Sequence, residues 1–143
     1  MNKTQELLKM NCPYCGSNVE LKPSTVVYDK FYGYLYICSN FPKCDSYVGT
    51  HKSNLLPLGR LANKELRVLK MKAHKYFDTI WIYRKQQGLK KARRKAYSWL
   101  SEKLNLDIDL THIGYFDKET TEKVIKLCEP YYHKIKNKVS DFN

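Results

Sequence analysis

Four cysteines fall in two clusters, Cys12-x2-Cys15 and Cys38-x5-Cys44, with 22 residues between them. Two close pairs on two loops suit a tetrahedral zinc site, provided each pair lies on a turn tight enough for both thiolates to converge. The local sequence supplies such turns. Pro13 fixes the backbone inside the first loop. Gly16 follows Cys15, where a knuckle often needs positive φ, and Pro42 lies inside the second loop. An odd total of 5 cysteines argues against a disulfide framework. A redox C-x-x-C would leave Cys38 and Cys44 unexplained. Cys128, in a helical pattern with Val124, Ile125 and Leu127, reads as a small buried apolar residue. The expectation is one structural Zn2+ held by Cys12, Cys15, Cys38 and Cys44, whose four thiolates close its shell.

Between the clusters the pattern has period two. Val26-Val27-Tyr28 and Tyr34-Leu35-Tyr36-Ile37-Cys38 read as strands, Gly33 marks the turn before the second, and Ser46-Tyr47-Val48 reads as a third. This is a zinc ribbon. A unit of about 45 residues buries too little surface alone, so metal ligation should supply its folding energy. The stretches Cys12-Pro13-Tyr14-Cys15-Gly16 and Tyr36-Ile37-Cys38-Ser39-Asn40-Phe41-Pro42-Lys43-Cys44 resemble the C-terminal zinc ribbons of bacterial type IA topoisomerases. The resemblance covers residues 10–50 and implies single-stranded DNA binding, partly by stacking bases on exposed aromatics. It implies no strand passage, because the catalytic tyrosine and the other topoisomerase domains are absent.

From Leu55 onward the period becomes helical. Leu55-Leu56-Pro57-Leu58-Gly59 reads as a linker with apolar anchors that packs the ribbon onto the helical half. Asn63 caps a helix running to about Gln87, with Leu66, Leu69, Ala73, Phe77 and Ile80 as its apolar stripe and Gly88 as its stop. A second helix spans about Lys90 to Leu104, with Leu89, Ala92, Ala96, Trp99 and Leu100 on one face. After a connector, Asp117 caps a third helix, which Pro130 should kink or restart. The expected fold is α+β: an N-terminal four-Cys zinc ribbon (1–52) packed on a C-terminal bundle of three main α-helices (53–143), with a linker at about 53–62. The whole resembles a phage and prophage family known only as a zinc-finger-containing domain of unknown function. The matching residues are Pro57-Leu58-Gly59, Ala73-His74-Lys75-Tyr76-Phe77-Asp78 with Trp81, Ala96-Tyr97-Ser98-Trp99-Leu100, and His112-Ile113-Gly114-Tyr115-Phe116-Asp117. It implies a small phage-encoded accessory protein in the bacterial cytoplasm and supplies no activity.

Charge points to the partner. The 143 residues carry a formal net charge of +12, and residues 64–103 alone hold 13 basic against 3 acidic side chains. The densest run is Lys90-Lys91-Ala92-Arg93-Arg94-Lys95, nearly unrelieved by acids. A phosphate backbone is its natural complement. On the ribbon, Tyr34 and Tyr36 share one strand face and offer a platform for unpaired bases. Lys90, Lys91, Arg93, Arg94, Lys95, Tyr34 and Tyr36 are therefore the expected contacts to nucleic acid, single-stranded DNA foremost. The alternative partner is a host protein engaged by the same basic face. His74, Asp78 and His112 form a possible second polar site, and a metal-dependent nuclease built on them is the third reading. No phosphate-binding Gly-rich loop, nucleophile elbow or paired-carboxylate cluster is present, so the expectation is a binding protein and not an enzyme. No apolar run approaches a membrane span, the first ten residues lack a signal-peptide core, and no small-molecule substrate is apparent.

Overall fold

The structure, a computed structural model, describes residues 11–141. The signal-peptide reading of Met1–Met10 lies outside the described residues. Three antiparallel strands form one sheet in the order β1-β2-β3: β1 Val19–Pro23, β2 Tyr34–Cys38 and β3 Tyr47–Gly49. Val19 pairs with Cys38 and Pro23 with Tyr34, while Leu35 pairs with Gly49 and Ile37 with Tyr47. The first strand is not the expected Val26-Val27-Tyr28. It is Val19-Glu20-Leu21-Lys22-Pro23, whose apolar and charged residues alternate as a half-buried strand should. The reason lies at Ser24, which is buried. Its amide donates to the Gly33 carbonyl at 2.8 Å, and its hydroxyl accepts the Tyr32 amide at 2.7 Å. These bonds turn the chain out of the sheet into a short 3-10 turn, Ser24–Val26.

The central strand is buried from Leu35 to Cys38. Successive side chains point to opposite faces, so both faces of β2 are covered. The expected linker at 53–62 belongs to this ribbon. Ala62 exchanges hydrogen bonds with Tyr47 at 3.1 Å in both directions, and the Leu58 amide donates to the Gly49 carbonyl at 2.9 Å. Leu61 packs with Val19 and Tyr36 in the ribbon's core. The chain accordingly divides into two compact units between Arg67 and Val68, not near residue 52.

Among the described residues three α-helices follow the sheet: α1 Lys64–Gln86, α2 Ala92–Leu104 and α3 Lys118–Asp141. Asn63 caps α1, its side-chain oxygen accepting the Leu66 amide at 2.9 Å. Gly88 ends that helix at φ +97°, and the Leu89 amide returns to the Arg84 carbonyl at 3.0 Å. The second helix begins at Ala92, two residues later than expected, because Lys91 sits in the left-handed region at φ 55°. Asp117 caps α3 through the Thr120 amide at 2.9 Å. That helix is unbroken through Pro130. Pro130 removes the bond to the Lys126 carbonyl, but both residues are exposed, so water can replace it.

The core of the helical unit joins Ala73, Phe77 and Ile80 of α1 to Leu100 of α2 and Val124, Ile125, Cys128 and Tyr132 of α3, with Ile113 and Phe116 from the connector. Tyr76 stacks on Tyr132 with ring centroids 4.1 Å apart. Cys128 is wholly buried, as expected of a small core residue, and burial pushes its thiol up to about 12. Leu100 is likewise wholly buried. Leu100→Ala should destabilise the helical unit by about 2–5 kcal/mol, read from the midpoint of its denaturant transition.

Candidate metal centre and basic cleft

Each cysteine pair sits on a turn that the surrounding backbone bonds define. In the first, the Gly16 amide donates to the Cys12 carbonyl at 2.9 Å and the Cys12 amide to the Ser17 carbonyl at 2.6 Å. Gly16 has φ +78°, the conformation that favours glycine. In the second, Phe41 donates to the Cys38 carbonyl at 3.0 Å and Cys44 to the Asn40 carbonyl at 3.2 Å. The Tyr14 amide approaches Cys12 Sγ at 3.5 Å and the Asn40 amide approaches Cys38 Sγ at 3.4 Å. Amides aimed at sulfur favour the thiolate form.

The four Sγ atoms all lie within 4.8 Å of one another. Cys12 and Cys44 approach to 3.6 Å, and Cys15 and Cys38 to 3.4 Å. A tetrahedron with Zn–S bonds of about 2.3 Å has edges of about 3.8 Å, so these separations fit a zinc ion. They are far longer than the roughly 2.05 Å of a disulfide. Four soft thiolates leave no open position, which makes the zinc structural. Among the described residues this is the only such group of His, Cys, Asp or Glu ligands.

Ser46 is a part of the site that sequence reasoning missed. It is wholly buried, and its Oγ lies 3.1 Å from Cys12 Sγ and 3.6 Å from Cys44 Sγ. With thiolates there, the hydroxyl donates to sulfur from the second layer around the metal. The only sequence signal was a small hydroxyl two residues past the fourth cysteine. Asp45 ties the same loop to the start of α1. Arg67 Nη1 donates to the Asp45 carbonyl at 2.7 Å, Nη2 lies 3.3 Å from Asp45 Oδ2, and the guanidinium sits 4.0 Å from the Tyr47 ring centroid.

The thiols that zinc must deprotonate differ in acidity. Hydrogen bonds from the Ser17 hydroxyl and amide lower Cys15 to about 6, whereas burial raises Cys38 to about 12. Zinc must displace the remaining protons, so its affinity falls as pH falls.

The ribbon's aromatics separate into two sets. Phe31, Tyr32 and Tyr34 are exposed by 58%, 66% and 44%. Phe31 and Tyr34 meet edge to face at 5.5 Å. Tyr36 corrects the expectation of a two-tyrosine platform. It has no exposed surface, and its hydroxyl donates to the Leu55 carbonyl at 2.8 Å. The folded-back segment covers the face that Tyr36 would have offered to a base.

In the helical unit, Lys90, Lys91, Arg93 and Arg94 line one open cleft of about 860 Å³, together with Lys85. Lys95 does not join them. It borders a smaller groove with Arg84, Trp99 and Tyr131. The three residues of the possible polar site are not gathered as metal ligands. Asp78 accepts the Trp81 indole N–H at 2.8 Å. His112 lies 6.4 Å from the Tyr97 ring and 5.5 Å from that of Tyr115. Desolvation lowers the His74 pKa, Lys70 and Arg93 reinforce the shift, and Asp78 opposes it.

Removing the metal with a chelator should collapse the dispersed amide signals of the ribbon in an NMR spectrum. Ser46→Ala should weaken zinc binding by about 10-fold or more, measured by competition with a chromogenic chelator. In the same assay, affinity should drop progressively below neutral pH.

No curated protein and no solved structure was found to match the chain. A family model described as a zinc-finger-containing domain matches residues 8–131. That span takes in all four metal-binding cysteines, the basic cleft and most of the helical core, and the chain belongs to this zinc-finger-containing family.

Proposed function

We propose that the chain is a zinc-stabilised accessory protein that binds single-stranded nucleic acid, DNA foremost, largely without regard to sequence. The observation that carries this reading is the cleft in which Lys85, Lys90, Lys91, Arg93 and Arg94 converge. Among the described residues none of the five forms an ion pair. Five cations gathered beside a single carboxylate, Asp109, leave a net positive charge that favours an anion, and a phosphate backbone supplies a regular series of them. The exposed rings of Phe31, Tyr32 and Tyr34 support the same reading, since unpaired bases stack on such surfaces whatever their identity. The role is binding, and no bond-breaking step is assigned to His74, Asp78 or His112. The resemblance to phage and prophage proteins supports a place in the bacterial cytoplasm. No helix among the described residues is long and apolar enough to cross a membrane.

One observation favours a second reading, a host-protein partner. The groove bordered by Phe77, Ile80, Trp99 and Tyr131 joins apolar rings to Arg84 and Lys95, a mixture found at protein interfaces. A complex with a host protein that survives nuclease treatment would support it.

The test of the favoured reading is the salt dependence of binding to an oligodeoxythymidylate. Replacing Lys90, Lys91, Arg94 and Lys95 together by Ala should flatten the slope of log K against log salt by about 0.7 for each phosphate no longer neutralised. An unchanged slope would reduce the basic run to a solvated face. Phe31→Ala with Tyr34→Ala should weaken binding by about 1–3 kcal/mol per stacked base and leave the slope unaltered.

A further inference from the structure

The cleft of the helical unit carries more than charge. Three of its lining residues are aromatic: Trp81, Tyr97 and His112. Neighbouring groups hold two of them. The Trp81 indole N–H is held by Asp78 at 2.8 Å. The Tyr97 ring packs on Phe77 at 4.8 Å, and the Arg93 guanidinium lies 4.9 Å from its centroid. His112 is exposed and stands 6.4 Å from Tyr97. Flat rings and cations without carboxylate partners therefore border the same concavity.

A plain phosphate site needs no rings, and a hydrophobic pocket needs no arginines. A nucleotide needs both, because its base stacks and its phosphate pairs with charge. The volume of about 860 Å³ lies within the range of ligand pockets, about 300–1,000 Å³. Asp109 is the one carboxylate of the lining. It would repel a phosphate, but it would accept from an exocyclic amine or a sugar hydroxyl.

We infer that this cleft is a nucleotide-binding pocket, which takes the base and the phosphate of one nucleoside phosphate together. The inference deepens the nucleic-acid reading and rests on it for the role of the cations. The nucleotide comes either from a strand or from the free pool, and both present the same chemistry.

The experiment is calorimetric titration of the zinc-loaded full chain with dAMP, deoxyadenosine, inorganic phosphate and polyglutamate. Saturable binding of dAMP is expected, with deoxyadenosine and phosphate each weaker by about 10-fold or more. Arg94→Ala and His112→Ala, both at exposed positions, should each weaken dAMP by about 10-fold, while Lys126→Ala outside the cleft should not. Circular dichroism checks that each variant is folded. Displacement of dAMP by an oligodeoxyadenylate assigns the nucleotide to a strand, and its retention beside the oligomer assigns a free nucleotide. Phosphate binding as tightly as dAMP would overturn the inference, as would polyglutamate competing equally or no dAMP binding at all. If the oligomer still binds with a steep salt slope while dAMP does not, this inference fails and the strand-binding reading survives. If dAMP binds and oligomers do not, the strand reading fails instead.

Discussion

The convergence of four thiolates at one end of a three-stranded sheet is the constraint on which the ribbon depends. Cys12 and Cys15 precede β1, Cys38 is the last residue of β2, and Cys44 lies just before β3. A single ion bound there ties all three strands together. Without it the ribbon has a core of few side chains, centred on Val19, Tyr36 and Leu61. A core that small does not offset the entropy of ordering the chain. The buried Ser46 hydroxyl and the amides aimed at sulfur then stabilise charge where burial would otherwise oppose it.

The helical unit obeys a different logic. Its stability comes from apolar side chains of all three helices and the connector, including a stacked tyrosine pair. The acids of this unit are few near the junction of α1 and α2, so the cations there outnumber the carboxylates that could neutralise them. The left-handed turn at Lys91 delays the start of α2. Part of the basic run therefore lies in an irregular segment and part on the first turn of a helix, and four of its five cations line one cleft beside an aromatic wall. A regular helix would have distributed them around its axis at about 100° per residue. Lys95, one turn into the helix, shows that distribution by bordering the other groove.

Several features are legible in the sequence alone. The spacing of the cysteines, the glycine after Cys15 and the helix signals at Asn63, Gly88 and Asp117 are local, and local rules govern them. Cys128 is readable as core because the helical period places it among apolar neighbours. The position of the first strand is not legible in the same way, although Val19 to Lys22 alternate as clearly as any segment. The β-branched pair Val26-Val27 outweighs that alternation, and nothing local reveals that Ser24 bonds across to Tyr32 and Gly33. Ser46 is hidden for a related reason: a serine beside a metal and a serine on a surface are written alike.

The sequence by itself determined the metal, its four ligands, the three helices and the concentration of charge in residues 64–103. Each comes from spacing, periodicity or composition, which act over a few residues or need no contacts at all. Tertiary structure alone decided the fate of Tyr36, the membership of the 53–62 segment in the ribbon, and the meeting of Trp81, Tyr97 and His112 with the basic run. These depend on which distant segment covers which face. A strand pattern says that alternate residues share a side, but not whether water or another part of the chain lies against it.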